Sequence, residues 1–123
     1  MVLVDTSIWV DHLRATEETL LGLLENGRVL VHPFVLGELA LGHLRQRETV
    51  LLTLRKMSQA MVVTDSEVVQ FVGRNRLFGV GTGYVDAHLL VAVRLTLGAS
   101  LWTRDKRLLA VADWLGLASE FAH

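Results

Sequence analysis

The chain has 123 residues, of which 51% are hydrophobic, and its 12 basic and 13 acidic residues give a net charge of −1. This length predicts one domain over residues 1–123 with a full hydrophobic core. The near-neutral charge argues against a nonspecific RNA-binding module, which would be basic. Because the chain contains no cysteine, it can form no disulfide, thiolate nucleophile or zinc–sulfur site.

The hydrophobic pattern predicts strands that alternate with helices and helical pairs. This alternation favours an α/β fold with a mainly parallel sheet covered by helices on both faces. In chain order we expect a strand at 2–5, helices at about 6–13 and 17–26, a strand at 28–31, helices at 33–43 and 46–58, a strand at 60–63, helices at 65–77 and 84–97, a strand at 100–103, a helix at 105–113 and a last short strand near 117–121.

Four acidic residues stand where the local sequence gives a carboxylate little reason to be. Asp5 and Asp105 follow predicted strands, whereas Glu38 and Asp86 lie in apolar helices. A buried carboxylate is costly unless it is paired or bound to a metal, and the chain offers no matching set of buried bases. Ligands of parallel α/β sheets bind beyond the carboxyl ends of the strands. We therefore expect the fold to gather these four acids around a cation.

Each acid also has a simpler interpretation. Asp5 and Asp105 could each serve only as the N-cap of the helix that follows. Glu38 and Asp86 fit that alternative less well, because they lie inside predicted helices. We expect the helix face of Glu38, which it shares with Phe34 and Val35, to be buried.

The acidic motifs resemble those of a known family. Val-Leu-Val-Asp5-Thr-Ser, Gly37-Glu38-Leu-Ala, Val85-Asp86-Ala-His-Leu-Leu and Leu101-Trp-Thr-Arg-Asp105 are similar, in the same order, to the four acidic motifs of PIN-domain nucleases. The resemblance covers essentially the whole chain and is closest to the VapC toxins of toxin–antitoxin pairs. It implies a PIN-like three-layer α/β/α fold and a metal-dependent endoribonuclease.

The same resemblance assigns roles to individual residues. Asp5, Glu38, Asp86 and Asp105 are the expected catalytic and metal-binding residues, and hydroxyl side chains are expected to support them at Thr6, Ser7 and Thr103. Asp5 and Asp86 are the first choices for direct ligands, with Glu38 and Asp105 binding directly or through water. In the family the fourth acidic position varies between Asp and Asn.

Oxygen ligands suit a hard cation, so we expect Mg²⁺ or Mn²⁺ to assist hydrolysis of an RNA phosphodiester. Once the four acids are set aside, the remaining charge is net positive. Candidate contacts to RNA phosphates are Arg74, Arg76, Arg104, Lys106 and Arg107, although each could instead be a solvated residue at a helix end.

The expected partners follow from the resemblance and the composition. A VapB-like antitoxin should lay its C-terminal tail in a groove near the helices over residues 6–26 and 34–58, with an Arg or Lys close to the acids. The apolar excess predicts a homodimer through the helices around residues 34–58. The sequence shows no signal peptide and no membrane-spanning stretch, which favours a cytoplasmic protein.

Other functions remain open from sequence. An aspartyl-phosphate phosphoryl-transfer domain also places acids at strand ends, a PIN nuclease could serve RNA maturation or decay without a toxin role, and the chain could be a noncatalytic interaction protein. The glycine-rich segment 78–83 does not follow a strand and lacks the Gly-Lys-Ser/Thr ending of a nucleotide-binding loop. We interpret it as a flexible connection into the helix of Asp86.

Overall fold

A four-stranded parallel sheet forms the centre of the protein. The computed structural model describes residues 1–122, so His123 lies outside the described part. The strands are β1 (Val2–Val4), β2 (Val29–Val31), β3 (Ser58–Gln59) and β4 (Ser100–Trp102), and their order in the sheet is β3-β2-β1-β4. Leu3 pairs with Leu30 on one side and with Leu101 on the other. The first strand of the chain is therefore an inner strand.

Within residues 1–122, seven helices connect these strands and follow the last of them. This arrangement confirms the predicted three-layer α/β/α fold with a parallel sheet. The helices are α1 (Thr6–Arg14), α2 (Glu18–Glu25), α3 (Pro33–Leu41), α4 (Arg47–Lys56), α5 (Asp65–Arg74), α6 (Tyr84–Leu95) and α7 (Lys106–Leu115). None of the helices in the described chain is long and apolar enough to cross a membrane.

The core explains why the strands are uniformly apolar. All three residues of β1 and of β2 are buried, as expected for parallel strands that pack against helices on both faces. Helix α6 is the most deeply buried helix, with every residue from Ala87 to Val93 buried. Its first turn, which carries Asp86, emerges from this core toward the carboxyl ends of the strands.

The predicted strand at residues 60–63 is wrong, because β3 occupies Ser58–Gln59 instead. The side-chain amide of Gln59 donates to the carbonyl oxygens of Leu54 and Met57 at the end of α4. The chain therefore pairs with β2 directly after α4 ends. Met61 and Val62 are 51% and 60% exposed. The last predicted strand is reduced to one bridge between Leu101 and Ala118.

The helices differ in how their first turns are closed. Thr64 and Glu67 form a capping box at the start of α5, and the side chains of His32 and Asp105 accept backbone N–H groups at the starts of α3 and α7. Helix α6 has Gly83 at its N-cap, without a side-chain hydrogen bond. The first turn of α6 therefore depends on other contacts.

Candidate active site

Asp5 is a buried carboxylate held by two hydroxyl groups. It follows β1 directly and is only 6% exposed. Its Oδ2 accepts hydrogen bonds from the hydroxyls of Ser7, at 2.9 Å, and Thr103, at 2.8 Å. Its side chain makes no capping hydrogen bond to α1, so the N-cap alternative does not describe it. Two donors to one oxygen fix the orientation of the carboxylate.

The same hydroxyls tie Asp5 to the turn between β4 and α7. The hydroxyl oxygen of Thr103 accepts the backbone N–H of Asp105 at 3.0 Å, and that of Ser7 accepts the backbone N–H of Arg104 at 3.1 Å. This network forms because β1 and β4 are parallel neighbours whose carboxyl ends meet at one edge. Two acidic motifs far apart in sequence are thus fixed to each other.

Asp105 does cap a helix. Its Oδ1 accepts the backbone N–H groups of Arg107 and Leu108 at 2.9 and 3.0 Å. The side chain is exposed, and its Oδ2 makes no hydrogen bond to residues 1–122. The capping interpretation therefore holds for one oxygen and leaves the other available to a ligand.

Glu38 lies on α3 beside the start of α1, where its Oε1 accepts the hydroxyl of Thr6 at 2.8 Å. The expectation that its helix face is buried is wrong, because Glu38 itself is exposed. The buried stripe of α3 consists of Val35 and Leu39, while Leu41 is 90% exposed. Glu38 therefore sits at the edge of this stripe, where its carboxylate can reach solvent and Thr6 together.

Asp86 shows that the four acids share one electrostatic environment. The pKa of Asp86 is raised from 3.8 to about 6, first by partial burial and then by the negative charges of Asp5, Asp105 and Glu38, in that order of importance. These charges act at short range in a partly buried site. The fold thus brings together all four acids that the sequence singled out.

The chemistry of these donors fits a hard divalent cation. The cluster offers carboxylate oxygens only, which Mg²⁺ and Mn²⁺ accept as ligands, and a cation would offset the repulsion that acts on Asp86. Among residues 1–122, no three acidic or histidine side chains stand close enough to hold a metal ion as they are. Binding would therefore involve adjustment of side chains within the cluster.

The candidate phosphate-binding residues differ in their contacts. The guanidinium of Arg104 pairs with Asp11 and Glu17, each at 2.5 Å, and this pairing raises its pKa. The side chain of Arg107 lies against Gly81, where an added Cβ would come within 3.5 Å of it. The other candidates are exposed and make no side-chain ion pair within the described chain: Arg74, Arg76 and Lys106.

A second polar cluster, which sequence reasoning missed, lies beside Asp86. Oδ1 of Asp65 accepts the phenol of Tyr84 at 2.5 Å and lies 3.2 Å from Nε2 of His88. Tyr84 and His88 are four residues apart on α6, so their shared face was visible in the sequence. Asp65 was hidden because it reads as an ordinary first-turn residue after the capping box.

A cavity of the described chain adjoins Glu38. It is a groove of about 490 Å³ between α1 and the end of α3. Its wall combines apolar side chains with basic ones, among them Val10, Leu13, Arg14, Leu39, His43 and Arg45. An apolar segment with polar or acidic flanks would fit this lining.

Comparison with known proteins agrees with this arrangement. The family model described as PIN domain matches residues 2–113, which include all four acids. Two curated relatives, both called Ribonuclease VapC32, come from Mycobacterium tuberculosis strains CDC 1551 / Oshkosh and ATCC 25618 / H37Rv. Each is 52% identical over 118 residues, covering 96% of this chain and 95% of the relative. No solved structure matches significantly. The chain belongs to the PIN-domain family.

Proposed function

We propose that the protein is a divalent-cation-dependent endoribonuclease and the toxin of a VapBC-type toxin–antitoxin pair. The observation that carries this proposal is that Asp5 and Asp105, which follow the parallel neighbours β1 and β4, act together with Glu38 on the partly buried carboxylate of Asp86. PIN-domain membership and the identity to proteins named Ribonuclease VapC32 support the same reaction.

The four acids and the hydroxyl residues beside them would have different roles in phosphodiester hydrolysis. Asp5 and Asp86 would hold Mg²⁺ or Mn²⁺ directly, and Glu38 and Asp105 would do so directly or through water. When bound, the cation would lower the pKa of the attacking water and stabilise charge on the phosphoryl and leaving oxygens. Ser7 and Thr103 orient the Asp5 carboxylate through its Oδ2, and Thr6 orients Glu38.

RNA phosphates would approach over the start of α7. Lys106 and Arg107 are exposed next to Asp105 and could contact the phosphates on either side of the cut bond. Arg74 and Arg76, at the end of α5, would contact more distant phosphates. Arg104 can serve in this way only if RNA competes with Asp11 and Glu17 for its guanidinium.

A VapB-like antitoxin would inhibit the enzyme through its C-terminal tail. The groove between α1 and the end of α3 supports this proposal, since apolar side chains form part of its lining and Glu38 lies on its wall. An Arg or Lys of the tail would pair with the acidic cluster and compete with the cation. An RNA-cutting toxin that must be kept inactive by such a partner would act in the cytoplasm.

A homodimer is the proposed assembly. Leu41 and Leu52, in the region predicted to form the contact, are 90% and 51% exposed and would be covered by a second copy. Light scattering at tens of micromolar should give the mass of a dimer, and a monomer mass would contradict this part of the proposal.

A test of the nuclease uses purified protein and total RNA. Cleavage should require Mg²⁺ or Mn²⁺, stop with EDTA and resume when the cation is restored, and sequencing of the new RNA ends should locate the cut. The matched control is Asp113→Asn, an acid of α7 on the described surface outside the four motifs. Cleavage that survives EDTA, or that is equal in Asp86→Asn and wild type, would contradict the proposal.

The alternatives have less support. No contact among residues 1–122 favours an aspartyl-phosphate mechanism, and trapping with beryllofluoride would be its signature. A role in RNA maturation without a toxin function would be indicated if expression in the native host left growth unchanged and no antitoxin copurified with the protein.

A further inference from the structure

The start of α6 carries Asp86, and its N-cap, Gly83, makes no side-chain hydrogen bond. The first N–H groups of any helix lack partners within the helix, so an uncapped first turn frays easily. Gly83 provides no side chain here, and the preceding Gly79 and Gly81 have φ values of +73° and +85°. Something other than the helix itself must fix the turn that carries Asp86.

Asp65 provides this restraint from the neighbouring helix. Its Oδ1 lies 2.5 Å from the phenol oxygen of Tyr84 and 3.2 Å from Nε2 of His88. These residues lie two positions before and two positions after Asp86. The first turn of α6 is thus held on both sides of Asp86 by one carboxylate at the start of α5.

Ring contacts extend the restraint to α3, which carries Glu38. The rings of Tyr84 and His88 meet edge to face at 4.7 Å, and the ring of Phe34 lies 4.7 Å from that of His88. Phe34 in turn lies 5.1 Å from the ring of His32, whose Nδ1 accepts the N–H of Phe34 at the start of α3. His88 is 2% exposed, so its ring is enclosed by these neighbours.

Asp65 acts through position rather than through charge. The negative charges that act on Asp86 are those of Asp5, Asp105 and Glu38, and Asp65 is not among them. The hydrogen bond from Tyr84 lowers the pKa of Asp65, so its carboxylate is ionised and remains a good acceptor at neutral pH. Removing Asp65 would therefore alter the site only by releasing the turn.

We propose that Asp65, Tyr84 and His88 are positioning residues that hold the first turn of α6, and with it the carboxylate of Asp86, in the place that cation binding requires. The proposal rests on the proposed function only in treating Asp86 as a cation ligand. Partners that orient metal ligands in this way typically change metal affinity about 10- to 100-fold when they are removed.

Calorimetric titration with Mn²⁺ tests the positioning role. In Asp65→Ala the dissociation constant should rise about tenfold or more, and in Tyr84→Phe and Asp65→Asn it should rise less, because each keeps part of the contact. Gln70→Ala, exposed on the same helix, is the control and should bind like wild type. A lower melting temperature with unchanged Mn²⁺ affinity in Asp65→Ala would show a merely structural role and overturn the proposal.

Hydrogen exchange of the metal-free protein gives an independent measurement. The amides of residues 84–90 should exchange about tenfold faster in Asp65→Ala than in wild type, whereas those of β1 should not change. Equal exchange in both proteins would show that Asp65 does not hold the first turn of α6, and would overturn the proposal even if Mn²⁺ binding changed. Failure of wild-type protein to bind Mn²⁺ would instead contradict the proposed function, while the exchange experiment would still decide whether Asp65 holds the turn.

Discussion

Asp5 and Asp105 occupy the same topological position yet have different surroundings. Each lies just beyond a strand, β1 or β4, and these strands are parallel neighbours. Asp5 is buried and receives two hydroxyl hydrogen bonds, whereas Asp105 is exposed and receives two backbone N–H groups of α7. Topology therefore brings acids to one edge, but local contacts decide what each acid can do.

The difference lies in which oxygen atoms remain free and how firmly the side chain is held. The side chain of Asp5 makes no hydrogen bond to α1, and its buried carboxylate instead joins the ends of β1 and β4 through Ser7 and Thr103. Asp105 stabilises α7 whether or not a cation binds. We therefore expect substitution of Asp5 to affect mainly the reaction, whereas substitution of Asp105 should affect both the reaction and the stability of α7.

Asp5→Asn should have the largest effect on activity. Loss of the buried negative charge should lower RNA cleavage by about three orders of magnitude or more, as for other residues that act directly in a reaction. Initial rates with a defined RNA at saturating Mg²⁺ would measure this, with circular dichroism to check the fold. A folded Asp5→Asn protein that retains a tenth of wild-type activity would contradict the role of Asp5.

Asp86→Asn should abolish cleavage and also stabilise the metal-free protein. Its pKa of about 6, against 3.8 when unperturbed, means that the folded state holds this proton more tightly than the unfolded state. The resulting stabilisation is complete below pH 3.8 and is lost as the pH rises through about 6. At pH 7 the substitution should therefore add roughly 1 to 3 kcal/mol to the free energy of unfolding.

Denaturant unfolding in EDTA at several pH values would measure this stabilisation. The difference between Asp86→Asn and wild type should be small near pH 4 and grow toward pH 7. A difference that is constant across this range, or a less stable variant at pH 7, would show that burial and the neighbouring acids do not raise the pKa of Asp86.

Thr103→Val should weaken the site without removing an acid. The valine keeps the shape but loses the hydroxyl that donates to Asp5 and accepts the N–H of Asp105. Loss of this buried partner should cost about 1 to 3 kcal/mol of stability. Mn²⁺ affinity should fall about 10- to 100-fold. Thr103→Ser keeps the hydroxyl and is the matched control. Equal Mn²⁺ affinity in Thr103→Val and Thr103→Ser would show that the hydroxyl of Thr103 does not contribute to cation binding.

Asp105 should show the smallest effect, provided that its cap is kept. Asn caps helices about as well as Asp, so Asp105→Asn should keep the stability of wild type and lose less than about tenfold in activity. Asp105→Ala removes the acceptor of two N–H groups and should cost about 1 kcal/mol of unfolding free energy. If Asp105→Asn abolished cleavage as completely as Asp5→Asn, the two acids would be equally necessary for the reaction.

The sequence predicted the strand-end acids well because their signal is local. Asp5 directly follows an apolar run and Asp105 comes shortly after another, and the parallel sheet then brings the two together. The exposure of Glu38 was not predictable from local sequence. Apolar residues surround it on α3, and the sequence does not show that one of them, Leu41, faces solvent. The contact of Asp65 with Tyr84 joins residues 19 apart and depends on how α5 packs beside α6.

The position of β1 also has a consequence for how the chain folds. Oδ2 of Asp5 receives the hydroxyl of Thr103, a residue 98 positions later in the chain. Contacts between residues so distant in sequence form late, because the loop that joins them must first be closed. While the chain is being synthesised, its first acidic motif therefore lacks this hydrogen bond until Thr103 and β4 have been added. A nascent or truncated chain without that segment should be harmless to the RNA around it.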